Sequence, residues 1–290
     1  MKPPAFDYLA AGSVAEAVAA LARAPDETRL LAGGQSLMPM LNFRLLTPAR
    51  LVDINAIAEL GHIVDAGGGL RIGALTRHAE LLASELVAAR YPVLQAAVRH
   101  VAHLAIRNRG SIGGSLAHGD PAAELPLMAL LLDASLTAVG PDGARAIAAE
   151  AFFRGPLETA LDGDEILTEV ALPPPAAAGW GFAEVARRAG DYALAAVAAT
   201  LSFDGRRISA ARLAVAGAGD RPSRLADVER LLVGEAPTPE LLQAAAGLAR
   251  DGIDARSDLH ASADYRRHLV AVLGRRVLDE ACRRAAEAGV

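Results

Sequence analysis

The sequence predicts an α+β fold in three consecutive parts, on three observations. Helical and extended patterns alternate through the first half and beyond, ending in a strand at Leu172. Pro173-Pro174-Pro175 and the alanines after it make the clearest boundary in the chain. Beyond it, three strand patterns are followed by three helix patterns, the order of an antiparallel sheet covered by helices. The parts fall at residues 1–57, 58–175 and 176–290.

In the first part, Ser13 and Glu16 form a capping box ahead of an amphipathic helix. Thr28–Leu31 is a short strand running into Ala32-Gly33-Gly34-Gln35-Ser36. Leu37–Phe43 reads as a helical turn interrupted by Pro39, and Arg50–Ile54 as a strand. In the second part, Gly67-Gly68-Gly69 joins two strands, the second at Leu70–Ala74. Thr76 is placed as the cap of a helix through Leu82, and a longer helix covers Pro92–His103. The run Ile106–His118 centres on Ser111-Ile112-Gly113-Gly114-Ser115. Asp120 and Pro121 read as N-cap and first residue of an apolar helix to Leu132. Asp142-Gly143 signals a hairpin between Ser135–Val139 and Ala144–Ile147, and Ile166–Leu172 is a strand. In the third part, strands at Gly181–Arg188, Leu194–Phe203 and Ile208–Ala216 precede helices at Arg224–Val233, Pro239–Arg250 and Ala263–Ala286.

Composition removes several function classes. At 290 residues and 52% hydrophobic content the chain can bury a large core without staples. The net charge of −5 argues against a nucleic-acid binder. The single cysteine, Cys282, excludes an internal disulfide, a cysteine-ligated zinc site and an iron–sulfur cluster in this chain. The apolar runs Leu125–Leu132 and Ala193–Phe203 are too short to cross a bilayer, so no transmembrane segment is expected. The opening MKPPAFDYLA has no signal-like apolar core, and a cytoplasmic location is expected.

Two glycine pairs carry the chemistry. A glycine pair permits positive φ and close approach of a ligand to the main chain, and successive N–H groups can face one anion. Gly33-Gly34 is followed by Ser36, and Gly113-Gly114 is flanked by Ser111 and Ser115. Hydroxyls add donors without charge, which suits a pyrophosphate that is held and not cleaved. Glycine alone is equally served by an ordinary tight turn. A Rossmann fingerprint is absent, because after Gly217-Ala218-Gly219 its third glycine would fall on Pro222. His100, His103 and His118 lie near Asp120 and Glu124, but their spacing matches no metal set and no metal is expected. Cys282, among arginines, is read as an idle helix thiol, and the arginines of the last helix as a solvated face.

The segments LLAGGQSLMPMLNFRL with LVDI, and IRNRGSIGGSLAHGDPAAELP, resemble the FAD-binding medium subunit of molybdenum hydroxylases. This is the family of the carbon monoxide dehydrogenase flavoprotein and the xanthine dehydrogenase FAD subunit. PPAFDY, EILTEVALP, RRAGDYALAAVAATL and SADYRRHLVAVLGRRVL extend the likeness over essentially the whole chain. The resemblance implies two α/β FAD-binding subdomains of the vanillyl-alcohol-oxidase (PCMH) type and a C-terminal domain covering the flavin. It places Ala32, Gly33, Gly34, Gln35 and Ser36, with Ser111, Ile112, Gly113, Gly114 and Ser115, around the pyrophosphate of a noncovalent FAD. Glu124 matches an acidic position on the adenosine ribose, Ile166 and Leu167 an apolar pair near the adenine, and Tyr192 an aromatic near the isoalloxazine. Gln35 stands where the carbon monoxide enzymes often have His, and Ser115 replaces a frequent Asn or Asp. Both departures weigh against carbon monoxide as substrate.

The resemblance also implies an oxidoreductase subunit with no catalytic residue of its own. Iron–sulfur clusters would sit in a small partner subunit and molybdopterin in a large one, in a dimer of heterotrimers. This chain would relay electrons from the clusters to an external acceptor. Two alternatives stand beside it: a self-contained FAD oxidoreductase of the same fold, and a nucleotide-binding scaffold subunit without catalysis.

Overall fold

Short apolar runs between polar turns give the first part a parallel sheet. A computed structural model describes residues 2–289. Its first elements are β1 (Asp7–Ala10), α1 (Val14–Ala22), β2 (Thr28–Leu31), α2 (Leu37–Asn42) and β3 (Arg50–Asp53). The strands pair in parallel in the order β1-β3-β2. Helix α1 buries Ala17, Val18, Ala20 and Leu21. Ser13 Oγ accepts from the Glu16 N–H at 3.2 Å, but the Glu16 carboxylate takes the Gly12 N–H at 2.8 Å, one residue before the expected box partner. Pro39 does not interrupt α2: it lies in the first turn, where a missing N–H breaks no helical hydrogen bond.

The second part follows with β4 (Ile63–Ala66), β5 (Gly69–Gly73), α3 (His78–Ala83), α4 (Glu85–Arg90), α5 (Pro92–Val98), α6 (Leu104–Arg107), α7 (Ile112–His118) and α8 (Glu124–Leu131). Then come β6 (Ser135–Gly140), β7 (Gly143–Ala148), α9 (Ala149–Phe152), β8 (Phe153–Gly155), β9 (Glu158–Thr159) and β10 (Ile166–Leu172). An antiparallel sheet runs β4-β5-β10-β6-β7. Three expectations are corrected. Thr76 caps no helix; its hydroxyl donates to the His62 carbonyl at 2.9 Å, and α3 begins two residues later. The long helix from Pro92 ends at Val98, ahead of Ala102 in the left-handed region at φ 41°. Asp120 caps a turn rather than a helix: its carboxylate accepts from the Ala122 N–H at 2.8 Å, and α8 starts at Glu124.

The third part is β11 (Gly179–Ala186), β12 (Ala193–Asp204), β13 (Arg207–Ala216), β14 (Ser223–Arg224), α10 (Ala226–Leu232), α11 (Pro239–Asp251) and α12 (Ala263–Glu287). The strands form one antiparallel sheet in sequence order. Alternate side chains serve opposite faces. Leu194, Val197, Leu201 and Leu213 pack beneath the helices with Val270, Leu273 and Val277. On the other face, Ala196, Ala198, Ala214 and Ala216 join the core built from α5, α8 and the second sheet. The second and third parts therefore share one core. The α12 arginines are not uniformly solvated. Arg266 is 5% exposed, and the Arg284 guanidinium lies 3.3 Å from the Trp180 ring centroid. Burial pushes the Cys282 thiol up to about 11, which leaves it unreactive. Among the described residues, no helix is long and apolar enough to cross a membrane.

Candidate functional site

The first glycine motif leaves β2 at the carboxyl end of the parallel sheet, where open α/β sheets place their ligands. Gly34 adopts φ +71°, reversing the chain toward α2. Five successive N–H groups, Gly33 to Leu37, donate to no protein acceptor among the described residues. The carbonyl side is tied down instead. Gln35 Nε2 donates to the Gly33 carbonyl at 2.8 Å, and Asn55 Nδ2 to the Ala32 carbonyl at 2.9 Å. Asn55 in turn accepts from Arg77 at 2.6 Å, while a second Arg77 nitrogen donates to the Arg109 carbonyl at 2.7 Å. A row of free donors on a braced loop is what a doubly charged pyrophosphate requires, so these residues fit the cofactor.

The second motif was expected at the pyrophosphate too, and its main-chain donors are arranged differently from those of the first. It is the first turn of α7, and neither glycine has positive φ. Its donors are already engaged. Ile112 N–H goes to the Thr76 carbonyl at 3.0 Å and Gly113 N–H to the Ala74 carbonyl at 2.8 Å. The Gly114 N–H goes to Ser111 Oγ at 3.2 Å, and the Ser115 N–H to the Ser111 carbonyl at 3.1 Å. Ser111 is 2% exposed and acts as an N-cap. The glycines serve close packing. A Cβ on Gly113 would lie 2.4 Å from the Ala74 Cβ, and one on Gly114 3.8 Å from the Ala32 Cβ. The two motifs therefore abut, the second forming the floor under the first.

The remaining expected residues divide. Tyr192 is 57% exposed, and its hydroxyl end lies against Ser36 and Asp120. Burial of that end and the Asp120 charge push its pKa up to about 12. Glu124 opens α8 and is 6% exposed; burial, then the charge of Glu184, pushes its carboxyl up to about 8. Burial and the neighbouring negative charge thus favour its neutral form. The Ile166 and Leu167 side chains enter two different cores and are 1% and 5% exposed. Adjacent strand residues face opposite ways, so they do not form one apolar surface.

Sequence reasoning missed Asn55, Arg77 and Glu184. Asn55 was within reach, since it directly follows the strand LVDI at the ligand end of a parallel sheet. Arg77 and Glu184 arrive from elsewhere in the chain and carry no local signal.

Residues 4–175 match the FAD binding domain in molybdopterin dehydrogenase, and residues 180–281 match the CO dehydrogenase flavoprotein C-terminal domain. The chain is 41% identical to the nicotine 6-hydroxylase medium subunit of Paenarthrobacter nicotinovorans, over 97% of this chain and 99% of that one. It superposes on a chain of the carbon monoxide dehydrogenase of Hydrogenophaga pseudoflava with a TM-score of 0.96 and 38% identity, covering 98% of this chain and 99% of that one. With quinoline 2-oxidoreductase from Pseudomonas putida 86 the TM-score is 0.94 and the identity 41%, over 98% and 99% of the two chains. A two-part family match over nearly the whole length makes this chain a member of the FAD-binding medium-subunit family of molybdenum hydroxylases, an oxidoreductase subunit that carries FAD.

Proposed function

We propose that this chain is the electron-relaying subunit of a cytoplasmic heterotrimer. Iron–sulfur clusters sit in a small partner and molybdopterin in a large one, and two heterotrimers form the assembly. The carrying observation is the row of five unpartnered N–H groups at residues 33–37 beside a chain with one cysteine. The chain is equipped to hold FAD and cannot ligate a cluster, which fits a flavin that receives its electrons from a cluster-bearing partner. Bound FAD supplies the exchange between one-electron carriers and a two-electron acceptor; the protein's part is to position and tune it.

The division of labour follows the three-part plan of residues 1–57, 58–175 and 176–290. Residues 32–36 hold the pyrophosphate, and residues 111–115 support them from beneath. Glu124 meets the adenosine ribose. With the Ile166 and Leu167 side chains buried, the adenine contact at this strand end falls to main chain. Tyr192, exposed at the mouth, covers one face of the isoalloxazine. No general base is assigned here, because substrate is oxidised in the large subunit.

The test is reconstitution. The isolated yellow chain should bleach with dithionite but not with the hydroxylase substrate, until the small and large subunits are added. Rapid substrate-driven bleaching of the lone chain would instead identify a self-contained flavoenzyme. Failure to take up any flavin would leave a scaffold. In the reconstituted complex, Tyr192→Ala should change the rate of reoxidation by the acceptor severalfold, read by stopped flow, with a smaller change in FAD retention.

A further inference from the structure

The direction of the free N–H groups on Gly33 and Gly34 is set by side chains that grip the carbonyls beside them. A peptide group is planar and trans, so its carbonyl and its N–H point in opposite directions. Whatever holds the carbonyl therefore sets where the N–H points. Asn55 Nδ2 holds the Ala32 carbonyl at 2.9 Å, and that carbonyl shares its peptide with the Gly33 N–H. Gln35 Nε2 holds the Gly33 carbonyl at 2.8 Å, which sets the Gly34 N–H in the same way. Neither N–H meets a protein acceptor among the described residues.

Asn55 is itself held in one orientation. Its Nδ2 also donates to Asp53 Oδ1 at 2.6 Å, and its Oδ1 accepts from Arg77 at 2.6 Å. A carboxylate only accepts and a guanidinium only donates, so the amide fits one way round. Asp53 is fixed in turn by the Tyr8 hydroxyl at 2.6 Å and the Asn55 N–H at 2.8 Å. Asn55 is exposed, two residues past the end of β3. Its bonds are therefore not needed to satisfy buried groups; what they add is direction.

Arg77 ties this array to the second motif. Its main chain pairs with Ser111 in an antiparallel bridge. From there one guanidinium nitrogen reaches Asn55, and another holds the Arg109 carbonyl at 2.7 Å. That carbonyl lies over Gly33, where no Cβ fits. Arg77 thus acts on the first loop at two points, through Asn55 and through Arg109.

We propose that Asn55 and Arg77 are positioning residues for FAD: Asn55 aims the Gly33 N–H by gripping the Ala32 carbonyl, and Arg77 locks Asn55 to the second motif. The proposal rests on the reading that residues 32–36 hold the pyrophosphate. A residue that aims a dipole and one that fills space respond differently to substitution. Asn55→Asp keeps the shape but sets a second oxygen against the Ala32 carbonyl and Asp53, so the peptide is driven to turn. Asn55→Ala removes the grip without the repulsion. The isosteric change should therefore be the more harmful, with FAD binding about tenfold weaker against about threefold for Asn55→Ala. Arg77→Lys keeps the charge but spans only one of the two acceptors, and should weaken FAD by about fivefold.

The experiment is titration of the flavin-free full chain and these variants with FAD, followed by fluorescence quenching. Phosphorus magnetic resonance reads the bound pyrophosphate, and circular dichroism checks the fold. The bound phosphorus signals should lie apart from those of free FAD in the wild type and shift again in the folded Asn55→Asp chain. An Asn55→Asp chain that binds FAD within about twofold of the wild type, or more tightly than Asn55→Ala, would overturn the aiming role. Where Asn55→Asp fails to fold, Asn55→Ala decides: unchanged affinity with unchanged phosphorus signals overturns that role equally. Unchanged affinity in Arg77→Lys would show that Arg77 acts by charge alone and would overturn its part. Wild-type phosphorus signals that stay at their free positions on binding are a different result, and they would overturn the pyrophosphate reading of residues 32–36 itself.

Discussion

Gly33→Val should strip the chain of FAD, weakening it by roughly a hundredfold or more, about 2.7 kcal/mol. An ideal Cβ on Gly33 would sit 2.4 Å from the Arg109 carbonyl oxygen and 2.8 Å from the Gly110 Cα. Both neighbours are backbone, so no side-chain rotation relieves the clash and the loop itself must move. The Arg109 carbonyl is fixed by Arg77, so the displacement falls on the loop that carries the free N–H groups. Overpacking of this kind typically costs about 1–3 kcal/mol even without a ligand. Gly114→Val is the contrast. Its nearest foreign atoms are Ser111 Oγ at 2.9 Å and the Ala32 Cβ at 3.8 Å, so flavin loss should be smaller. Flavin content of the purified chain and a fluorescence titration decide the matter, with far-ultraviolet circular dichroism as the check on folding. Full flavin in a normally folded Gly33→Val chain would place the pyrophosphate elsewhere.

Arg266→Met should lower stability by about 3 kcal/mol, the largest loss expected from a residue outside the cofactor loops. One guanidinium nitrogen donates to the Leu194 and Gly217 carbonyls, each at 2.6 Å, and another to Asp258 at 2.6 Å. Methionine fills much of the volume but leaves two inward-facing carbonyls and a carboxylate without their donor. Lysine should not restore stability, because a single ammonium cannot span the fork that the guanidinium fills. Urea denaturation followed by circular dichroism measures this directly. A loss below about 1 kcal/mol would mean that water replaces the arginine at all three acceptors.

Most of the framework was legible because it is local. Thr28–Leu31 and Ile166–Leu172 are apolar runs closed by glycine or proline, and the strands end where those residues stand. Strand β1 was missed because it lies at a sheet edge with three of its four residues exposed, so it carries no alternation. The start of α8 was misplaced because aspartate caps turns and helices with the same oxygen. The two glycine motifs stood out as a pair, yet their roles diverge for a reason no short segment records. Two donors of the second are taken by Ala74 and Thr76, which the chain brings in from nearly forty positions earlier, and two by Ser111 of the same segment. The His100–Glu184 pair likewise exists only once the third part has docked.

Where β12 and β13 dock the third part the face is written in alanine, with Ala196, Ala198, Ala214 and Ala216 lying against the core of α5 and α8, while Trp180 and Phe182 of β11 pack at its edge. A joint made from the smallest side chains loses almost no rotamer entropy when it closes. For the same reason it has no rotamers through which to adapt. A leucine–leucine boundary can absorb an added methylene by reshuffling, whereas here an added methylene pushes backbone against backbone. The joint therefore behaves as a weld and not as a hinge, and the second and third parts move as one body.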